Sequence, residues 1–189
     1  MTVNFAAERS IMVDSQVRPQ DVTDLAIQDA MRAAPRESVV PASRQLLAYA
    51  DAEVEYAPGR WMLRPRDAAK LLHGLRPRVG EAALTIASPY SALVLKTMGL
   101  MVTEFDGADL KTVSGKWPLI VCEGAVNVVP ASWLEALAPG GRLGVIERTG
   151  RSGSALCYSR AETGVGARSL FSCAPPFMAG FEPVTAFVF

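Results

Sequence analysis

From Glu81 onward the chain alternates short apolar runs with helix-forming segments, and this alternation constrains the fold more than any other feature. "ALTIA" (83–87) reads as a buried strand, and "LMVTEF" (100–105), "LIVCEG" (119–124) and "RLGVIE" (142–147) as further strands. Between the first two, Ser88-Pro89 reads as an N-cap followed by a first-turn proline, opening a helix through Tyr90, Leu93, Val94 and Met98. Between the last two, a helix over 130–137 is stopped by "APGG". Strands joined by helical crossovers pair in parallel, so the spacing predicts an α/β doubly wound sheet. Two further runs, 154–160 and 167–173, meet at Thr163-Gly164 and read as an antiparallel hairpin at the C-terminal end.

The first eighty residues have a different rhythm. Thr23 is placed to cap a helix, with Asp24 in its first turn and Val22 stapled onto Ile27; its apolar face is Ile27, Ala30, Met31 and Ala34, and Pro35 ends it. Pro41 starts a short helix through Leu46, Leu47 and Tyr49. After the turn at Pro58-Gly59 the chain is extended over 61–63, and Pro65 opens a helix carrying Ala68, Leu71, Leu72 and Leu75 on one side. The expected organisation is one domain over 1–189, with a helical part at 1–80 and a sheet part at 81–189.

Composition narrows the function classes. Nineteen basic and nineteen acidic residues cancel, so no broad electrostatic grip on nucleic acid is expected. Cys122, Cys157 and Cys173 have neither disulfide-framework nor metal-ligand spacing, which suits free thiols in a reducing compartment. Glu8, Arg9 and Asp14 interrupt any secretory apolar core, and no apolar run approaches the ~18 residues of a membrane span. The expectation is a cytoplasmic protein with neither a nucleic acid nor a membrane as partner. His73 stands alone on a helix without a ligand or acid at i+4, and no Ser–His–Asp order is present.

Five weak motifs in order add a resemblance. "AMRAAPRESVVP" (30–41), "LAYAD" (47–51), "VCEGAVNVVPASWLEALAPGGRLGVI" (121–146), "GSALCYSR" (153–160) and "LFSCAPPFMAGF" (170–181) resemble consecutive segments of the protein-L-isoaspartate O-methyltransferase family, over 12–189. The resemblance implies a Rossmann-like class I fold that binds S-adenosylmethionine and methylates the free carboxylate of isoaspartyl residues. It also implies a missing element, because residues 105–118 are too few for the two helices and strand of the family when one helical crossover takes ~10–12 residues. The sheet is therefore expected to be one strand short, with 106–117 a loop or at most one short helix.

Position by position, the family's functional residues are mostly replaced. Its acid and glycine-rich turn correspond to "LTIASPYSALVL" (84–95), where Thr85 stands for the acid and Ala87, Ser88 and Pro89 for the glycines, with a two-residue deletion. Glycines let backbone N–H groups approach a ligand at a helix N-terminus, and proline has no N–H to offer. Only Tyr90 and Ser91 keep the pattern; the plain alternative is a tight turn with Ser88 as its cap. For the ribose and adenine contacts, Glu104 or Asp106 matches the first acid and Asp109 the second; the alternative for such loop acids is plain solvation. At the substrate loop "MLRPRDAA" (62–69), Leu63 occupies the place of the family's hydroxyl residue, and Arg64 and Arg66 are either carboxylate-attracting or surface residues. Glu123, at a strand end where open sheets bind ligands, is kept as a site candidate, or else as a hydrogen-bonding acid at that end. The cofactor-contact candidates are thus Ser88, Tyr90, Glu104, Asp109 and Glu123, with no catalytic residue and no metal ligand assigned. These losses favour a non-catalytic binding or regulatory protein with no cofactor; the alternative is an active S-adenosylmethionine-dependent carboxyl methyltransferase with a remodelled site. Residues 5–17, where Ile11, Met12 and Val17 are apolar, are expected to pack across the domain or against a second copy, and the N-terminal helices to meet any protein partner.

Overall fold

A computed structural model describes residues 3–107 and 109–184; the last five residues of the family resemblance lie outside it. Helix α1 (Phe5–Met12) is capped by the Asn4 side chain, which accepts from the Ala7 amide, and loosens into a π-helical turn at Val13–Val17. A 3-10 turn, Arg18–Gln20, contains Pro19 and ends with Asp21 in the left-handed region. Met12 and Val17 are buried within this domain, whereas Ile11 is 57% exposed. Residues 5–17 therefore pack across their own chain.

Helix α2 (Leu25–Ala33) buries Ile27, Ala30 and Met31 as the periodicity predicts. Its cap is Asp24, one residue later than expected: the carboxylate accepts from the amides of Ala26 and Ile27, a charge-assisted arrangement that the neighbouring threonine does not match. The segment after Pro41 forms a 3-10 helix, Ala42–Leu47, and its Leu46 and Leu47 face solvent, leaving Tyr49 as the buried residue. The first eighty residues also contain a hairpin, β1 (Val54–Ala57) and β2 (Arg60–Met62), turning at Gly59. Gly59 has φ +66° and lies so close to Ala179 that a side chain there would meet its Cβ at 2.5 Å. Helix α3 (Pro65–Leu75) buries Ala68, Leu71, Leu72 and Leu75.

The main sheet comprises β3 (Ala82–Ile86), β4 (Met101–Phe105), β5 (Trp117–Val126), β6 (Leu137–Thr149), β7 (Ser152–Ala161) and β8 (Gly164–Ser172), in the order β4-β3-β5-β6-β7-β8. The first four pair in parallel and the last two antiparallel. Helix α4 (Pro89–Thr97) carries the crossover from β3 to β4, and the short α5 (Ala131–Glu135) precedes β6. Alternate residues of β5 feed two cores: Leu119 and Val121 join the one under α2, α3 and α4, and Ile120 and Cys122 the one around Trp133.

Among the described residues, no strand or helix lies between Phe105 and Trp117, as the length argument requires. The loop is tied down instead. The Trp133 indole N–H donates to the Leu110 carbonyl (2.7 Å), the Val113 amide donates to the Ser132 hydroxyl, and Leu110 is buried. The absence of a further strand leaves β4 at the sheet edge, with Met101 63% exposed and Glu104 paired to Lys96 of α4.

Candidate functional site

The crossover from β3 runs to one side of the sheet and that from β5 to the other, so the C-terminal ends of β3 and β5 form the topological switch point. The turn after β3 begins at Ala87, which has φ +46° and donates its amide to the Phe105 carbonyl. An alanine in this region carries the strain that glycine avoids, about 1–2 kcal/mol. Ser88 occupies the N-cap position of α4, but its hydroxyl does not cap the helix as the sequence suggests. It donates to the Ile86 carbonyl and accepts the Glu123 amide, both at 2.7 Å, which joins β3 to β5.

The register of β5 against β6 shifts between Val121 and Ala125, and Glu123 lies in that irregular stretch. Such bulges redirect side chains. Here the Glu123 carboxylate meets the start of α4, where it accepts the Ser91 amide, and its second oxygen accepts the Leu63 amide at 3.4 Å. Nearby, Arg36 is fully buried: its Nε donates to the Ala48 carbonyl (2.6 Å), one Nη donates to the Leu63 carbonyl, and its guanidinium lies 4.5 Å from the centre of the Tyr90 ring. Burial raises the Glu123 carboxyl above its ordinary pKa, and Ser91 and the Arg36 charge pull it back only in part. Burial lowers the Arg36 guanidinium, opposed by Tyr90 and Glu123. The Cys122 thiol, fully buried, is pushed up to about 12, which removes it as a nucleophile.

Of the five contact candidates, the structure brings Ser88, Tyr90 and Glu123 together and buries all three. Glu104 is engaged by Lys96, and Asp109 accepts from Thr112 and the Lys111 amide; neither bonds to the central group. Leu63 is buried with its amide and carbonyl both committed. Arg64 pairs with Glu53 and Asp67, and Arg66 with Asp51, so neither guanidinium is left free to attract a carboxylate. Arg36 was missed by the sequence reading, although it lies inside the quoted "AMRAAPRESVVP". A cleft of about 660 Å³ opens beside Asn127, Glu147 and Cys173, and one of about 250 Å³ lies between Arg60, Lys111 and Phe181. Neither is lined by Ser88, Tyr90 or Glu123.

No protein-family model matches the chain. Individual relatives do. A protein-L-isoaspartate O-methyltransferase of Methylorubrum extorquens (strain PA1) is 34% identical over 99 residues, 51% of this chain and 43% of that protein. Protein-L-isoaspartate O-methyltransferase 2 of Marinobacter nauticus is 29% identical over 183 residues, covering 80% and 83%. The fold also matches a crystal structure from Plasmodium falciparum described as a protein-L-isoaspartate O-methyltransferase in complex with S-adenosyl-L-homocysteine, with TM-score 0.74, 13% identity, and 90% and 97% of the two chains covered. The chain is similar in sequence and fold to protein-L-isoaspartate O-methyltransferases. It spans less than half the length of the Methylorubrum relative in its matched region.

Measured against what the family resemblance implies for S-adenosylmethionine, the residues at the switch point do not fit the cofactor. The first turn of α4 should present backbone N–H groups to the methionine carboxylate. Pro89 has none, and the Ser91 N–H is held by Glu123. Ala87 and Ser88 add side chains where the family has glycine, and the Ser88 hydroxyl is already spent on the sheet.

Proposed function

We propose that this protein is a non-catalytic member of the protein-L-isoaspartate O-methyltransferase family that acts in the cytoplasm by binding or regulation and not by methyl transfer. The observation that carries this reading is the Glu123 carboxylate on the first turn of α4, the place that the family resemblance implies for a ligand carboxylate. Each missing charge-assisted hydrogen bond to a ligand costs about 1.5–3 kcal/mol. Two such losses amount to ~3–6 kcal/mol, enough to move a micromolar affinity to roughly millimolar or weaker. Burial of Tyr90 and Glu123 and the absence of a hydroxyl at Leu63 support the same reading. Glu104 and Asp109, on the exposed surface, could supply one ribose or adenine contact but not replace those lost at α4.

Calorimetry with S-adenosylmethionine and S-adenosylhomocysteine, together with methyl transfer to an isoaspartyl peptide, tests the proposal. The expected result is no saturable heat and no transfer; saturable binding at roughly tens of micromolar would instead establish a rebuilt site and an active methyltransferase. The partner surface in this reading is the N-terminal part, where Ile11, Leu25, Leu46 and Leu47 are exposed, and the occupant is a protein or a second copy. Light scattering across a concentration series separates these two occupants.

A further inference from the structure

The donors around Glu123 outnumber what its carboxylate uses. It accepts two backbone amides, from Ser91 and Leu63, while an ionised carboxylate has about four acceptor sites. Three more donors on the adjoining buried side chains have no partner: Arg36 Nη1, the Tyr90 hydroxyl and the Ser91 hydroxyl. All three side chains are fully buried, so solvent does not serve them. Buried polar groups are ordinarily satisfied, and a cluster of unsatisfied donors on the buried side chains around one acid points to a site with more capacity than the tethered side chain can fill. The elements are independent of one another: α4 supplies its first turn, the Arg36–Val39 turn supplies the cation, and the residue after β2 supplies the second amide. A nine-residue helix with its N-terminus turned on the acid adds its dipole.

We propose that the start of α4, Leu63 and Arg36 form a carboxylate-binding site that the chain occupies with its own Glu123, so that a small aliphatic carboxylate binds there once that side chain is removed. Glu123 is a positioning residue in this arrangement: it joins the sheet to the N-terminal part through atoms that would otherwise receive a free ligand. The inference rests on the non-catalytic reading above, because an internal acid that fills this place leaves no room for a ligand carboxylate.

The test uses the full chain with Glu123→Ala. Acetate replaces the atoms removed, its methyl group standing for Cγ and its carboxylate for that of the glutamate. The variant should unfold at lower temperature than the wild type, and acetate should raise its midpoint saturably, by roughly 2–5 °C. Sodium chloride at equal ionic strength should not, and the wild type should show no saturable response. Adding Arg36→Met to Glu123→Ala should abolish the acetate effect. A folded Glu123→Ala chain that responds to acetate no more than to chloride overturns the proposal. If the variant is recovered only as aggregate, refolding in acetate against chloride gives the same decision: soluble protein in acetate alone supports the site, and aggregate in both overturns it. Saturable binding of S-adenosylhomocysteine by the wild type would overturn the non-catalytic reading instead, whereas silence of the wild type with an acetate-insensitive variant would overturn this inference only.

Discussion

The Glu123 carboxylate and the Ser91 backbone amide, 32 residues apart in the chain, are hydrogen-bonded at the switch point of the sheet. One contact thus closes the start of α4 and ties it to the end of β5. Arg36 lies behind it, with its guanidinium stacked on Tyr90.

Replacing Arg36 by methionine, which is similar in length and uncharged, leaves Glu123 without its cation and two carbonyls without donors. Each buried carbonyl left without its donor costs about 1–3 kcal/mol. The loss depends on pH. Burial already holds the Glu123 carboxyl above its reference value of 4.5, and removing the cation raises it further. The folded state then retains a proton that the unfolded state releases, so stability falls as pH rises above 4.5. Denaturant unfolding of Arg36→Met should show a larger deficit at about pH 8 than at about pH 5; an equal deficit at both would remove the charge coupling.

Glu81 behaves in the opposite sense. Its partial burial raises the carboxyl, but the hydrogen bonds and charge of Arg142 outweigh that and hold it below 4.5. A depressed carboxyl contributes stability above its unfolded pKa and loses it as pH falls through the folded one. Wild type should therefore be more stable than Glu81→Gln above pH 4.5, and the two should converge in acid. Thermal midpoints across that range provide the check.

The loop that takes the place of a strand is held by Trp133. Trp133→Phe keeps most of the packing but leaves the Leu110 carbonyl unpaired, a loss of about 1–3 kcal/mol. Hydrogen exchange should quicken at Lys111 and Val113 ahead of the strand amides; unchanged protection there would show that the loop is held by something else.

Gly141, the second glycine of "APGG", lies against backbone on two sides. A Cβ would meet the Trp117 carbonyl oxygen at 2.7 Å and that of Ala138 at 2.8 Å. Backbone atoms cannot rotate aside, so Gly141→Ala should destabilise by ~1–3 kcal/mol. Gly140 has open space around it and serves as the comparison, although its φ of +72° carries a strain of its own. A larger loss at Gly140 than at Gly141 would show that backbone angle dominates this turn over crowding.

What the sequence displays plainly is whatever acts over a few residues or along one period. The buried stripe of α3 and the apolar strings of β3 and β5 are of this kind, and counting residues between 105 and 118 was enough to exclude a full crossover. The site is less legible because its contacts are distant in the chain. Ser88 has the local look of a cap, and only its partnership with Glu123, 35 residues on, makes it a link between strands. Arg36 follows a helix-ending proline, where an arginine is ordinarily at the surface. It is buried because the carbonyls of Ala48 and Leu63, 12 and 27 residues away, are in position to receive it. The cap of α2 fell one residue from its expected place because both Thr23 and Asp24 satisfy the local rule, and the geometry chooses the carboxylate.

The bare edge of β4 has a consequence for behaviour in concentrated solution. Among the described residues β4 pairs with β3 alone, so its outer row of backbone donors and acceptors is open to another strand, and Met101 is exposed along it. Lys96 and Glu104 place opposite charges beside that row. Charged side chains on an open edge discourage strand-to-strand stacking, so with no strand beyond β4 this ion pair serves as a guard against aggregation.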